Sequence, residues 1–432
     1  MDGRSGRRLA PREVARIGGA SEILAERDVR AFVRGALDSV ELAKRSVCVV
    51  VPDATRTCPV PMLLSAIHDA LRGRVTRITV LVALGTHAAM TERDRAAHLG
   101  YRPGAAEVTY PGTTILDHAW WDPAACADLG TIPAARLSEL SGGLLRRDTP
   151  VRVNRAVLEH DVTLVVGPVF PHEVAGFSGG NKYLFPGVSG RELIDVSHWV
   201  GALVSSAEII GVPGVTPVRA IIDEAASMVP TTCLALCVVT RPGSADLHAA
   251  AFGEPVAAWE SVVETAAATH VRYLEAPVAR VLFVLPERYA DLWTGAKGFY
   301  KVEPVVADGG EVVLYAPHIA DLSVTHPGIA EIGYHCRDYF VAQWERFRSR
   351  PWSDLAHSTH VRGAGTYDAR DGERPRVSVT LATAIPESVA RSVNLGYRDP
   401  AEIDPDEWAR DDGTLVVRDA GEELYRLRLT PS

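Results

Sequence analysis

The stretch "DVTLVVG" (161–167) is apolar without alternation, and it leads into "PHEVAGFSGGNKYLFPGVSG" (171–190). Continuous apolar residues at strand length indicate a strand buried on both faces, and such strands belong to parallel sheets covered by helices on each side. Three other runs share this character: "SVCVVVPD" (46–53), "RITVLVALG" (77–85) and "TCLALCVVT" (232–240). Helical stretches separate them, among them "VPMLLSAIHDALRG" (60–73) and "PVRAIIDEAASMV" (217–229). The second opens on Thr216 and Pro217, an N-cap followed by proline at the first helical position. Strand, loop and helix in alternation specify an α/β fold.

A second block begins near "EAPVAR" (275–280), read as a hinge. In it "RVLFVLP" (280–286) and "EVVLYAPH" (311–318) are expected strands flanking the helix-like "DLWTGAKGFYKVEPVV" (291–306). The segment "VSVTLATAIP" (377–386) is a further strand. The polar, Gly/Arg-rich "HSTHVRGAGTYDARDGERPR" (357–376) reads as an exposed loop. The expectation is two domains, 1–274 and 275–432. Each carries a mainly parallel, Rossmann-like sheet flanked by helices, and the active site lies in the cleft between them.

Composition narrows the function. Apolar residues make up 47% of the 432 and charged residues 23%, the profile of a globular chain. A net charge of −9 provides no basic surface for nucleic acid, although a local cationic pocket for a small anion is compatible with it. The six cysteines form no CxxC pair, so neither a zinc knuckle nor a disulfide framework is indicated. The basic N-terminal stretch lacks the apolar core of a signal peptide, and the longest apolar runs are too short to span a membrane. A cytoplasmic protein without membrane contact is expected.

Three of the early strands empty into loops bearing ionisable groups. "PDATRTCPVP" carries Asp53, Thr55 and Arg56; "GTHAAM" carries His87; the glycine-rich segment carries His172 and Lys182. Ligands of open α/β sheets bind outside the carboxyl ends of the strands, so these loops are expected to share one crevice. Each residue also has a plain structural reading. Asp53 and Thr55 can cap a turn, Arg56 can pair with Asp53, and His87 can be an ordinary loop histidine. A phosphate loop is not supported: "GFSGGNKY" (176–183) has Asn181 and Tyr183 where a Walker loop requires Gly and Ser or Thr. His198 reads either as a half-buried histidine beside Trp199 or as a metal ligand. No companion Cys or carboxylate cluster accompanies it, so a metal here needs most of its ligands from elsewhere.

Taken together, "PDATRTCPVP", "LGTH", "PHEVAGFSGGNKYLFPG" and "HWVG" resemble the nickel-dependent lactate racemase family. The likeness continues more loosely through "LWTGAKGFYKVEPVVADGGEVVLYAP" and "LATAIPESVARSVNLG". The resemblance implies a racemase or epimerase of a 2-hydroxy acid that uses a nickel-pincer nucleotide, a pyridinium whose two sulfur-bearing arms hold the metal. Hydride passes to and from this cofactor through a 2-keto acid intermediate. His198 then corresponds to the nickel ligand, and Lys182 to the lysine that carries the cofactor as a thioamide. His87 and His172 correspond to the two bases. Arg56 and Lys297 correspond to the cations on the substrate carboxylate or oxygen. Asp53, Thr55, Gly176, Ser178, Gly179 and Gly180 are expected around the cofactor, with the glycines letting backbone close over a flat nucleotide. Separate maturation enzymes are implied partners, because they supply the cofactor.

Two departures touch the substrate. Thr57 and Cys58 intervene between Arg56 and Pro59, where the family places proline directly after the arginine. Trp293 and Thr294 stand where the lactate enzyme has a Tyr-Gln pair. Both positions lie near substrate in the family, so an acid other than lactate is expected. A second reading is a non-catalytic carrier of the nickel nucleotide or of a hydroxy acid; such a protein needs Lys182 and His198 but not both bases.

Overall fold

A computed structural model describes residues 13–418 and 423–428. The basic stretch that opens the sequence begins outside the described residues. Seven strands form the larger sheet: β1 (Ala15–Gly18), β2 (Ser46–Pro52), β3 (Arg77–Ala83), β4 (Thr113–Asp117), β5 (Val162–Pro168), β6 (Thr232–Thr240) and β7 (Leu247–Gly253). Their order across the sheet is β1-β7-β6-β5-β2-β3-β4. The strands from β6 to β4 are parallel, while β7 runs antiparallel to both β6 and β1. The four apolar runs of the sequence supply the centre; the two antiparallel strands at one edge had no such signal.

Both faces of this sheet are covered, which explains the unbroken hydrophobicity. On β2, Val47, Val49 and Val51 pack against helices α1 (Glu26–Asp38) and α2 (Val60–Leu71). Cys48 and Val50 point the other way, into a core shared with α3 (Arg191–Val204), α4 (Pro217–Ser227) and α5 (Pro255–His270). Each such valine contributes about 1.5–3 kcal/mol by leaving water. Helix α4 starts as expected, with the Thr216 hydroxyl accepting from the Arg219 N–H at 3.1 Å.

The topology also fixes where a ligand can sit. From β2 the chain moves outward through β3 to β4, but β5 lies on the other side of β2. Connections leaving β2 and β5 therefore diverge, opening a crevice at their carboxyl ends.

A second, all-parallel sheet contains β8 (Val278–Val284), β9 (Val306–Ala316), β10 (Ser378–Thr383), β11 (Gly396–Tyr397) and β12 (Thr414–Val417), in the order β11-β10-β9-β8-β12. It has its own apolar core around Phe283, Leu314, Leu381 and Phe299. The strand Leu424–Leu427 returns to pair in parallel with Val271–Leu274, close to the junction of the two sheets. The helix-like segment after β8 breaks into the turns Leu292–Gly295 and Lys297–Tyr300 and a 3-10 turn, Glu303–Val305. Among the described residues, no helix is long and apolar enough to cross a membrane.

One expectation is corrected. Residues 357–376 are not one exposed loop: 357–362 form the second half of helix α6 (Trp352–Arg362), and only 365–368 and 372–375 make a surface hairpin. Ser353, Asp354, His357, Ser358, Thr359 and His360 are all buried. Their polarity concealed the helix, which sets only Leu355, Ala356 and Val361 into apolar cores and turns these polar residues towards α3 and the crevice. The Ser353 N–H donates to Asp195 of α3 at 2.9 Å.

Candidate active site

One cleft lies at the carboxyl ends of β2, β3 and β5, closed over by residues that follow β8 and by α6. With its open mouth it comprises about 1020 Å³. Its walls include Asp53, Arg56, His87, His172, Lys182, His198, Trp293 and Thr294. Residues far apart in sequence, proposed separately from their loops, thus share one space.

The loop after β2 turns immediately. Asp53 is buried, and its Oδ1 accepts from the Thr55 hydroxyl at 2.7 Å and the Thr55 N–H at 3.1 Å. Its other oxygen, Oδ2, meets Nδ1 of His87, which arrives from the loop after β3. Burial opposes ionisation of Asp53, but His87, Arg56 and Thr55 outweigh it and hold the carboxyl well below its usual range. With Nδ1 engaged by this carboxylate, Nε2 of His87 keeps its lone pair and can accept a proton. The Trp120 indole donates to the His87 carbonyl at 2.9 Å and fixes the loop from outside.

Arg56 lies over the Phe170 ring at 5.4 Å, and Lys301 contacts the same ring at 5.3 Å. Lys301 is buried and donates to the Pro171 carbonyl at 2.7 Å, so a residue of the second block props the loop after β5. His172 follows, only 3% exposed. Its Nδ1 accepts from the Val174 N–H at 3.1 Å and stands 3.3 Å from Glu173 Oε2. A neutral ring suits the first partner and a protonated ring the second. Burial, then Lys182, Arg56, His198 and Lys301, push the His172 pKa well below normal. Glu173 takes a hydrogen bond from Tyr300. Burial disfavours its charge, yet Arg56 and His360 keep its pKa low.

The glycine-rich segment is used differently from expectation. Gly176, Gly179 and Gly180 do not line the cleft. A Cβ on Gly179, at φ +88°, would come within 2.5 Å of Val169, so this glycine serves close packing inside the protein. Ser178 lines the cleft, but its hydroxyl donates to the Pro168 carbonyl at 2.7 Å. The segment is fastened from beneath by Arg219 of α4, buried and stacked on Trp259 at 4.4 Å, with hydrogen bonds to the carbonyls of Phe177 (2.5 Å) and Gly179 (3.0 Å). This anchoring holds Lys182 at the cleft. Burial, then Arg56, lower the Lys182 pKa to about 7, leaving much of the amine neutral near neutrality. Its Nζ makes no hydrogen bond among the described residues.

His198 projects from α3. Its Nδ1 donates to the Ile194 carbonyl at 2.7 Å, which leaves Nε2 as a lone-pair donor. Opposite, Trp293 stacks between His326 and His357, each at 3.8 Å between ring centres, and Trp120 lies parallel to His326 at 5.9 Å. The stack joins the cover to the loop that holds His87. Thr294 is turned inward on its own element, bonded to Asp291 at 2.8 Å. Lys297 opens the turn Lys297–Tyr300, and its side chain lies outside what the structure describes. His357 and His360 also line the cleft, 9% and 4% exposed. Nε2 of His357 and both nitrogens of His360 have no hydrogen-bond partner among the described residues. An unsatisfied buried polar group costs about 1–3 kcal/mol.

Sequence reasoning assigned no part here to Glu173, Tyr300 or Lys301. Glu173 adjoins His172 in the quoted segment and could have been found there; Tyr300 and Lys301 carried no signal beyond their closeness to Lys297. Among the described residues, no three His, Cys, Asp or Glu side chains are grouped to hold a metal. The donors present at the cleft fit a metal group that brings most of its own. His198 offers one nitrogen and Lys182 a neutral amine.

Fold and cleft together define an α/β protein with a polar cleft at the switch point of a parallel sheet. Residues 14–211 match the lactate racemase N-terminal domain. Over 164 residues the chain is 26% identical to the lactate racemases of Thermoanaerobacterium thermosaccharolyticum and Lactiplantibacillus plantarum, covering 38% of this chain and 34% of each of theirs. The match thus spans about a third of the length of these curated relatives. A crystal structure of a protein from Thermotoga maritima aligns with a TM-score of 0.86 at 31% identity, over 95% of this chain and 100% of that one. The lactate racemase apoprotein from T. thermosaccharolyticum aligns with a TM-score of 0.69 at 18% identity, over 94% and 93%, and shares the fold. The family that these matches support, through residues 14–211, is that of the lactate racemases.

Proposed function

We propose that this protein interconverts the two configurations at C2 of a 2-hydroxy acid other than lactate. The observation that carries this reading is the convergence of Arg56, His87, His172, Lys182 and His198 on one cleft. In it, two histidines reach a common space from different strands. Inversion requires the O2 proton to leave and return with the substrate in two orientations, and two imidazoles serve the two orientations.

Arg56, a planar and permanently charged fork, binds the C1 carboxylate. Lys297 supplies a second cation to the same end of the substrate. His87 takes the O2 proton on Nε2 while Asp53 holds Nδ1. His172 serves the other orientation: with its Nδ1–H turned to Glu173, Nε2 takes the O2 proton and later returns it, while the Val174 contact belongs to the resting tautomer. The Trp293 stack and Tyr300 cover the cleft and exclude water. His198 through Nε2 and Lys182 through Nζ would hold a nickel-pincer nucleotide, which maturation enzymes provide. When bound, that group supplies an acceptor for the C2 hydrogen and its electron pair, and the donor that gives them back.

The test is nickel content and stereochemistry on protein co-produced with the maturation enzymes. Nickel near one per chain, lost in His198→Ala, and conversion of a single-enantiomer 2-hydroxy acid to a mixture on chiral chromatography are expected. Stoichiometric nickel retained in His198→Ala would refute the ligand assignment. Absence of any conversion by nickel-loaded protein would overturn the enzyme reading in favour of a carrier.

A further inference from the structure

The cover of the cleft contains polar groups that the C2 chemistry does not use. His357 and His360 lie three residues apart on one face of α6 and line the same cleft as Arg56 and His172. Both are at least nine-tenths buried, and three of their four ring nitrogens have no partner among the described residues. Trp293 fixes the His357 ring by stacking, and the edge of Tyr300 faces His360 at 6.4 Å. Rings fixed in this way, with free nitrogens, are poised for a ligand that supplies both donors and acceptors.

We propose that the substrate is a polyhydroxylated acid, whose hydroxyls beyond C2 bond to His357, His360 and Glu173. This rests on the reading of the cleft as a 2-hydroxy acid epimerase and names its substrate class. A neutral imidazole presents one donor and one acceptor, and a hydroxyl group matches both. Burial and the neighbouring histidines lower the pKa of both rings, that of His360 to about 4, so the neutral form prevails. A second carboxylate offers acceptors only and would face the Glu173 carboxylate, which lies close enough to His360 to influence it. An alkyl tail would leave the three unpartnered ring nitrogens of His357 and His360 unsatisfied. Hydroxyls of the ribose in a bound nucleotide present the same chemistry, and the test must separate the two sources.

Three acids of four carbons isolate the tail: 2-hydroxybutanoate, malate and threonate. Nickel-loaded, full-length protein is assayed for kcat/KM on each, as wild type, His360→Leu and His360→Gln. Isothermal titration of each acid gives a readout independent of turnover. Wild type is expected to favour threonate by roughly a hundredfold over 2-hydroxybutanoate, because a hydrogen-bonding pocket penalises a ligand that leaves it unpaired. His360→Leu should bring that ratio close to one, and His360→Gln, which keeps a donor and an acceptor, should restore part of it. Turnover with no preference for threonate over the other two acids overturns the proposal alone. So does an equal loss on all three acids, or loss of nickel, in His360→Leu, since either places the histidines on the cofactor. Wild-type protein that carries nickel but converts none of a wider set of 2-hydroxy acids overturns the epimerase reading, and this proposal with it.

Discussion

His87 and His172 reach the same cleft from neighbouring parts of one sheet and each has a carboxylate beside it, yet at His172 that carboxylate, Glu173, is outnumbered by cations. His87 is 23% exposed at the side chain and rests against a carboxylate. His172 is buried, takes a backbone N–H on Nδ1, and is encircled by Lys182, Arg56 and Lys301. One ring is steadied by an anion at the rim, and the other is kept neutral by burial and cations at the floor. The difference teaches that two residues in matching roles need not be matched electrostatically. The two directions of exchange are then expected to respond unequally to the same perturbation.

The largest effect comes from removing either ring. His87→Ala and His172→Ala should each lower interconversion by about a hundred- to ten-thousand-fold, with nickel retained, as followed by chiral chromatography from each pure enantiomer. Full activity in either variant would remove that histidine from the chemistry. Asp53→Asn sharpens the contrast. It should cost about a hundredfold by unsettling the tautomer of His87, whereas a variant of the Glu173 partner acts on the other ring. Equal pH profiles for Asp53→Asn and Glu173→Gln would erase the distinction between the two sides.

A smaller effect concerns Lys182 at the floor. With its pKa near 7 instead of the usual 10.5, the cofactor-free protein should react at this amine roughly a hundred times faster than at surface lysines near pH 7.5. Peptide mapping after brief acylation measures this, and labelling no faster than the surface would refute it.

Stability should separate the two sides by sign. The Asp53 pKa is lower in the folded chain than in the unfolded one, so its stabilisation is present above the unfolded value and fades as pH falls below about 4. The Lys182 pKa is also lowered, but for a base this means that folding is penalised at low pH. Lys182→Met should therefore be more stable than wild type below pH 7, with the advantage shrinking as pH rises from about 7 towards 10.5. Urea titrations across pH test both, and a Lys182→Met advantage that grows with pH would contradict the assignment. The smallest effect is remote: Thr216→Ala removes the N-cap of α4, which carries Arg219 beneath the glycine-rich segment, and should cost about 1 kcal/mol.

Much of this architecture was legible because burial leaves a simple mark. β2, β3, β5 and β6 are covered on both faces, so nearly every residue had to be apolar, and the loops behind three of them could be located at once. The strand next to the edge, Leu247–Gly253, gave no such mark, because its antiparallel run of alanines has neither alternation nor β-branched bulk. The buried, helical setting of His357 and His360 was hidden for the converse reason. A helix that buries Ser353, His357, Thr359 and His360 beside Leu355 and Ala356 has only a short apolar stripe, and a sequence ending in Gly363 and several arginines looks like surface. The glycines at 176, 179 and 180 were legible as backbone that something approaches closely, but sequence could not reveal that the approaching groups are Val212, Val169 and Pro255 of the same chain.

The four-ring stack that joins Trp120, His326, Trp293 and His357 has an optical consequence. Trp293 is held face to face between two imidazoles, an arrangement in which its excited state is open to quenching by contact. Any separation of the cover from the loop that holds His87 must break the stack between Trp120 and His326. Trp120 and Trp293 are two of eight tryptophans, so the change in emission that Trp293→Phe removes is the part that reports whether the cover of the cleft is seated.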